Sequence, residues 1–550
     1  MTGKSAHRDS FARDHLPAAE DQPVYLFDRP EFQFPAQLNC AVEMLDKQVA
    51  AGHGDRPCLI SPRLRWTYAE LLDKANRIAK VLREDLGLVP GNRVMLRGAN
   101  NPMVVACWFG IVKAGGVVVA TMPLLRSGEL AVMLDKAEIG LALCDRRLME
   151  DMEKARDRAP VCERIVAFDG SGEAGGGAEL EALMAAKDGG FDNVETASDD
   201  VALIAFTSGT TGKPKGTMHF HRDVIAINNA FPRSVLKPTA EDVFIGSPPI
   251  AFTFGLGGLV TFPLSVGAST VLLEKASPDA LASAIAEFGV TVCFTAPTAY
   301  RALIKQLQHH DISSLKKCVS AGETLPLPIF EDWLKATGIR IIDGIGATEM
   351  LHIFISAAGD EIRPGATGKP IPGYEARVVD ENMQELPPGE VGRLAVRGPT
   401  GCRYLADERQ KAYVCDGWNL TGDAYRMDAD GYFWFQARAD DMIVSSGYNI
   451  SGPEVEEALM AHQTVRECAV VAAPDAERGT IVKAFVVLEE GQKGEESLVK
   501  ALQDHVKASI APYKYPRAIE FIAALPRTET GKVQRFRLRL EEEKKAEPQG

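Results

Sequence analysis

Nowhere in the 550 residues does an apolar run reach the roughly 18 to 20 residues that crossing a bilayer requires. The opening stretch "MTGKSAHRDSFARDHLP" lacks the apolar core of a secretory signal. No membrane partner is expected, and a cytoplasmic location is. Positive charge is not in excess either: 61 Lys and Arg against 75 Asp and Glu leave a net charge of −14. That balance argues against a nucleic-acid partner while leaving room for a local basic pocket. Ten cysteines occur without one Cys-x-x-Cys pair, which excludes a zinc-ribbon framework and suits a reduced chain. The pairs His219/His221 and His309/His310 lack a third ligand at metal spacing.

What the chain does have is a rhythm. From Cys58 to about Phe168 short apolar runs alternate with helical patterns, as in "RVMLRG", "NPMVVACWFGIVKAG", "GVVVATMP" and "SGELAVMLDKAE". This is the mark of β-α units on a largely parallel sheet. The glycine-rich, acidic stretch Gly170 to Gly190 reads as an exposed loop or linker. A second β-α series from Val201 to about Asp343 contains the candidate strands "STVLLE", "VTVCFTAP", "KKCVSAGE" and "IRIIDGIG". Beyond Gly365, Pro-Gly and Asp-Gly turns join short strands, which predicts antiparallel pairing. Ser451 and Glu454 form a capping box before "VEEALMAH", and about 110 residues of α+β character complete the chain. The expected fold class is α/β. A large N-terminal domain, residues 1–439, holds two wound β-α sheets and a small β subdomain, and a smaller mobile α+β domain spans residues 440–550.

After the apolar run Val201 to Phe206 comes "TSGTTGKPKG", Thr207 to Gly216. Set between a buried strand and a helix, such a loop turns N–H groups and hydroxyls inward as an anion site, with added charge from Lys213 and Lys215. On composition alone a flexible connector is an equal alternative. A Walker loop is excluded, because Gly209 stands only three residues before Gly212 and Pro214 follows Lys213. Downstream follow "GATE" (Gly346 to Glu349), "TGD" (Thr421 to Asp423), "RADD" (Arg438 to Asp441) and "PRTETGKVQR" (Pro526 to Arg535). In this order, across Phe34 to Leu540, the motifs resemble those of the adenylate-forming enzymes, which include acyl-CoA synthetases, firefly luciferase and peptide-synthetase adenylation domains.

The resemblance implies an enzyme that uses ATP, Mg²⁺ and coenzyme A as cofactors and a small carboxylic acid as partner. A carboxylate is a poor electrophile, and transfer of AMP makes it a mixed anhydride that a thiolate can attack. Holding the triphosphate and its metal calls for loop N–H groups, lysine and an acidic ligand. By resemblance Thr207, Ser208, Gly209, Thr210, Thr211 and Lys215 meet the phosphates, Thr348 meets the α-phosphate and Glu349 is the metal ligand. Asp343, Gly344 and Ile345 form the adenine site, where Ile345 replaces the family's usual aromatic residue and reduces stacking. Asp423 and Arg438 bind the ribose. Lys532 bridges the carboxylate and the α-phosphate in the first half-reaction. Asp440 is the hinge about which the small domain turns, and Gly447 keeps the pantetheine channel open. Asn449 stands where relatives often carry a basic residue. A non-catalytic nucleotide-binding relative is the rival from another class; joint retention of Lys215, Glu349, Asp423 and Lys532 favours catalysis.

The acid site is expected around "AFTFGLGG" and "GATEMLHIF". Phe254 and His352 would form its wall, with Ala321, Gly322 and Gly346 beneath the ring, whereas Phe252 reads better as a core residue. Together these segments resemble the benzoate-type ligases, most closely those acting on 2-aminobenzoate. A hydroxybenzoate or a medium-chain acid remains the alternative. An amino-acid substrate is disfavoured, since Ala251 and Phe252 stand where an aspartate would pair with the α-ammonium. Oligomeric state stays open, a homodimer being one option.

Overall fold

The computed structural model describes residues 3–172, 177–207, 214–438, 442–526, 533 and 535–546. Two β-α sheets form the bulk of the N-terminal part, yet the chain does not fill them in two consecutive blocks. The six-stranded sheet runs in the order 164–168, 141–145, 93–97, 117–121, 201–207 and 215–220. The nine-stranded sheet runs in the order 369–370, 353–356, 341–346, 317–320, 292–295, 243–246, 269–271, 57–60 and 65–67. Thus Pro57–Ile60 leaves the first series to pair in parallel with Ser269–Val271, and Val201–Thr207 joins the first sheet beside Val117–Thr121. Apolar periodicity identifies a buried strand, but the choice of sheet edge is a long-range matter that periodicity does not encode.

The helix Pro102–Lys113 is buried at every position. Its sequence is apolar almost all round, as a helix covered on all sides must be. Asn101 caps it by accepting a hydrogen bond from Val104 N–H at 3.0 Å, and Pro102 occupies the first turn, where no N–H is needed. Its one cation, Lys113, ends 2.5 Å from Asp46.

Gly170 to Gly190 is only partly a loop, because Glu179–Ala185 is helical and buries Leu180 and Met184. The expected antiparallel region is present, with Val391–Arg397 between Glu375–Val379 and Trp418–Met427, and Phe433–Arg438 outside the last.

The boundary expected at residues 439 and 440 lies outside the described residues. Beyond it, the hairpin Met442–Ser445/Tyr448–Ser451 and the sheet Val465–Asp475, Gly479–Leu488 and Ala518–Phe521 share a core of their own around Ile443, Val455, Val486 and Leu502. The expected capping box is half formed. Ser451 Oγ accepts from Glu454 N–H at 3.3 Å, but the Glu454 carboxylate turns away to Lys514, 2.6 Å distant. A full ammonium charge attracts a buried carboxylate more strongly than one backbone N–H does. Among the described residues no helix is long and apolar enough to cross a membrane.

Candidate active site

A cavity of about 1090 Å³ opens between the N-terminal sheets and the small domain. Of the residues expected at the site, Thr207, Phe254, Ala321, Gly322, Gly346, Thr348, His352 and Gly447 line it. Ser208, Gly209, Thr210, Thr211, Asp440 and Lys532 lie outside the described residues. The signature loop does not lead from a strand into a helix. It joins two antiparallel strands, with Thr207 opposite Lys215, and the helix His221–Phe231 begins only after the second strand. An anion there draws on loop N–H groups and lysine, not on a helix dipole. Among the described residues the buried Thr207 Oγ1 has no hydrogen-bond partner, a donor left for a ligand oxygen.

Lys215 Nζ lies 3.4 Å from Glu349 Oε1 and 2.8 Å from the Tyr404 hydroxyl, which in turn donates to Glu349 Oε1. Burial alone would raise the Glu349 pKa, but the Lys215 charge and the Tyr404 hydroxyl outweigh it and hold the carboxyl below its usual value. Tyr404 escapes a reading by motif, since nothing in "GCRYL" marks it. Among the described residues no group of three or more His, Cys, Asp or Glu is placed to hold a metal. A divalent ion at Glu349 would therefore draw its remaining ligands from phosphate and water, as Mg²⁺ commonly does at nucleotide sites.

The residues expected at the nucleoside sit beside this end, off the cavity lining. Asp343, Gly344 and Ile345 lie on Ile341–Gly346. Among the described residues the buried Asp343 Oδ1 has no partner, and burial pushes the carboxyl up to about 8 against the opposing Gly344 N–H. Such an acceptor suits an exocyclic amine. Asp423 lies inside the strand Trp418–Met427, directly across from Arg438. On its other side the register skips, with Arg393 opposite Ala424 and Ala395 opposite Leu420, so "TGD" is an irregularity that re-aims the carboxylate.

At the acid end His352 is buried, its ring 4.4 Å from that of Phe262, 5.7 Å from Phe254 and 5.9 Å from Phe231. Neither ring nitrogen has a well-formed hydrogen bond. Burial drives its pKa down to about 3, only partly offset by the Phe254 backbone, so the imidazole is neutral. A Cβ at Gly257 would come within 2.3 Å of the ring, so only glycine lets that helix pass so close. Phe252 is not a core residue. It is half-buried, lines the cavity and meets Tyr448 of the small domain edge-on at 6.1 Å.

The small domain brings Gly447 to the cavity opposite Gly322, and Gly447 N–H donates to Glu323. Burial raises the Glu323 carboxyl to about 7. A Cβ on Gly447 would meet Ala296 Cβ at 3.5 Å, an ordinary contact, so its φ of +80° is the stricter reason for glycine. Lys514 is buried across the same interface, 2.6 Å from both Glu129 and Glu454.

The family model for "AMP-binding enzyme" matches residues 46–404, and that for "AMP-binding enzyme C-terminal domain" matches residues 454–532. The chain belongs to the AMP-binding enzymes. As an AMP-binding enzyme it is 35% identical over 516 residues to the benzoate–CoA ligase of Thauera aromatica, covering 93% of this chain and 97% of that protein. It is also 35% identical over 501 residues to the mitochondrial acyl-coenzyme A synthetase ACSM3 of Mus musculus, covering 87% and 84%. The crystal structure of the anthranilate CoA ligase AuaEII in complex with anthranoyl-AMP superposes with a TM-score of 0.72 at 35% identity, covering 94% of this chain and 99% of that one. The chain is thus an enzyme of the AMP-forming acid–thiol ligase class, which uses ATP and CoA.

Proposed function

We propose that the protein activates an aromatic carboxylic acid of the benzoate or 2-aminobenzoate type as its acyl-AMP and passes the acyl group to CoA. The observation that carries this reading is one end of the cavity, where a neutral imidazole and Phe254 line the wall together with the small residues Ala321 and Gly322, and the buried rings of Phe262 and Phe231 back the imidazole from behind. An aromatic side wall over small residues favours a flat ring, and a ring nitrogen without a well-formed hydrogen bond suits a polar ring substituent. The names of the benzoate and anthranilate ligases among its relatives support it.

In this reading the acid lies against His352 with its carboxylate toward Thr348. Thr207 and the signature loop hold the triphosphate of ATP, Asp343 receives the adenine amine, and Asp423 with Arg438 takes the ribose. Glu349 would be the protein ligand of a Mg²⁺ ion, whose charge would offset that of the phosphates. Lys215 moves from Glu349 onto phosphate when that charge arrives. Lys532 steers the carboxylate onto the α-phosphorus, displacing pyrophosphate. The domain division at 439 and 440, with Asp440 as hinge, lets the small domain exchange Lys532 for the Gly447 face, past which the CoA thiol attacks the acyl carbon and expels AMP.

The acyl-coenzyme A synthetase relatives favour a second reading, a non-aromatic acid. Both are tested by thioester formation over benzoate, 2-aminobenzoate, hydroxybenzoates and medium-chain acids. The aromatic reading expects the highest kcat/KM on an unsubstituted or ortho-substituted ring, and a preference for chain acids would overturn it.

A further inference from the structure

The segment at Arg403 to Leu405 runs antiparallel to the outgoing strand of the signature hairpin: Met218 N–H donates to Arg403 O and Leu405 N–H to Gly216 O, each at 2.8 Å. Neighbouring residues on an extended segment point to opposite sides. Tyr404 reaches Glu349 on one side. Arg403, on the other, places a guanidinium nitrogen 2.6 Å from Asp223 Oδ2. That oxygen lies 3.9 Å from His219 Nδ1, beyond hydrogen-bond reach but within the field of the charge. The opposite nitrogen, His219 Nε2, is 2.8 Å from the carbonyl oxygen of Thr348. A carbonyl only accepts, so Nε2 carries a proton and donates. Arg403, Asp223 and His219 are all fully buried.

The turn so contacted is strained. Thr348–Met350 forms a single 3-10 turn that ends at Leu351, a buried residue with φ of +68°. A bulky residue holds that conformation only where surrounding contacts over-determine it. The contacts are visible: Thr348 O accepts from Leu351 N–H at 3.1 Å as well as from His219, and Met350 O accepts from Thr400 Oγ1 at 2.8 Å.

We infer that His219 is a positioning residue for the adenylation half-reaction, holding the Thr348 carbonyl so that the Thr348 hydroxyl and the Glu349 carboxylate face the phosphates. Asp223, anchored by Arg403, lies beside the imidazole at 3.9 Å and bears on it through its charge, not through a hydrogen bond. His219 touches no reactant; it acts through the turn. The inference rests on the roles proposed for Thr348 and Glu349.

The test uses the full chain and the variants His219→Leu, His219→Gln and Asp223→Asn. Acid-dependent ATP–pyrophosphate exchange reads adenylation, and thioester formation from supplied aroyl-AMP reads the second step. Losing a donor to a buried carbonyl is expected to lower the exchange kcat of His219→Leu by about 5- to 100-fold, with KM for the acid within about twofold. Thioester formation from the adenylate stays within about threefold of wild type, because it needs neither pyrophosphate departure nor Glu349. His219→Gln, whose amide N–H can reach the same carbonyl, recovers most of the exchange, and Asp223→Asn falls between. An unchanged exchange rate in His219→Leu, or equal loss in both steps without recovery by glutamine, would overturn the inference. If His219→Leu does not fold, the Gln and Asn variants decide: Asp223→Asn must slow exchange selectively, and His219→Gln must exceed it. Wild-type protein that shows no acid-dependent exchange would instead remove the functional reading beneath it.

Discussion

At the end proposed for the phosphates Glu349 is buried but shares Lys215 and Tyr404, whereas at the end proposed for the acid His352 is also buried, with no well-formed hydrogen bond to either ring nitrogen among the described residues. The first arrangement keeps a carboxylate ionised in a dry site, and the second keeps an imidazole neutral in an aromatic one. Charge that must be ready for chemistry is paired in advance, because an unpaired buried charge would cost several kcal/mol. A neutral polar atom without a partner costs less, about 1–3 kcal/mol, so it can be left for a substrate to satisfy. In the proposed function one end serves rate and the other selection, and substitutions at the two ends should separate along that line.

The largest effect is expected at Lys532. Lys532→Ala should cut acid-dependent pyrophosphate exchange by about 10²- to 10³-fold while thioester formation from supplied acyl-AMP persists. Equal loss of both steps would break the two-arrangement mechanism. Glu349→Gln should lower the exchange kcat by about 10²-fold and weaken its Mg²⁺ dependence, with the ranking of acids unchanged. If the ranking shifts instead, the separation of the two ends fails.

Tyr404→Phe should cost about tenfold in adenylation. Burial pushes the Glu349 carboxyl up while Lys215 and Tyr404 hold it down, so its useful charge is present above its folded pKa and lost as pH falls through that value. Removing the hydroxyl lets the pKa rise, and the acid limb of the pH–rate profile should move to higher pH. An unmoved limb would show that Lys215 alone sets it.

At the other end, His352→Leu should change the kcat/KM ratio of 2-aminobenzoate to benzoate by about tenfold and leave kcat on the better acid within about threefold. A uniform loss on all acids would make His352 a packing residue only. The smallest effect concerns stability. Burial raises Glu323 and Glu454 to about 7 and Asp343 to about 8. Unfolded, these acids ionise near pH 4. Their stabilising contribution is therefore complete below about pH 4 and is lost as pH rises through 7 to 8. His352, held neutral with a pKa lowered to about 3, opposes this below about pH 6.5, because its unfolded form still binds a proton there. Melting temperature should therefore fall between about pH 6.5 and pH 8, and Glu323→Gln should lessen that fall by about 1 °C.

Much of this was legible because it is local. "GVVVATMP" and "VTVCFTAP" are apolar runs of strand length, and Val117–Thr121 and Val292–Thr295 are the strands they form. Thr207, Gly346 and Thr348 are marked by short motifs, and all three line the cavity. Other features depend on partners far away in the chain. The Glu454 carboxylate abandons its cap because Lys514, 60 residues later, offers a charge. Tyr404 and Glu349 are 55 residues apart, and no spacing links them.

The residue pattern alone established the α/β class, the antiparallel region after Gly365 and the family, since these rest on periodicity, turn chemistry and contiguous motifs. Folding in three dimensions decided which sheet each strand entered, which charges met in pairs and which polar atoms stayed open. A strand edge, a buried carboxylate or an imidazole ring takes whatever partner the packed chain brings within a few ångströms, and that proximity is a property of the whole fold.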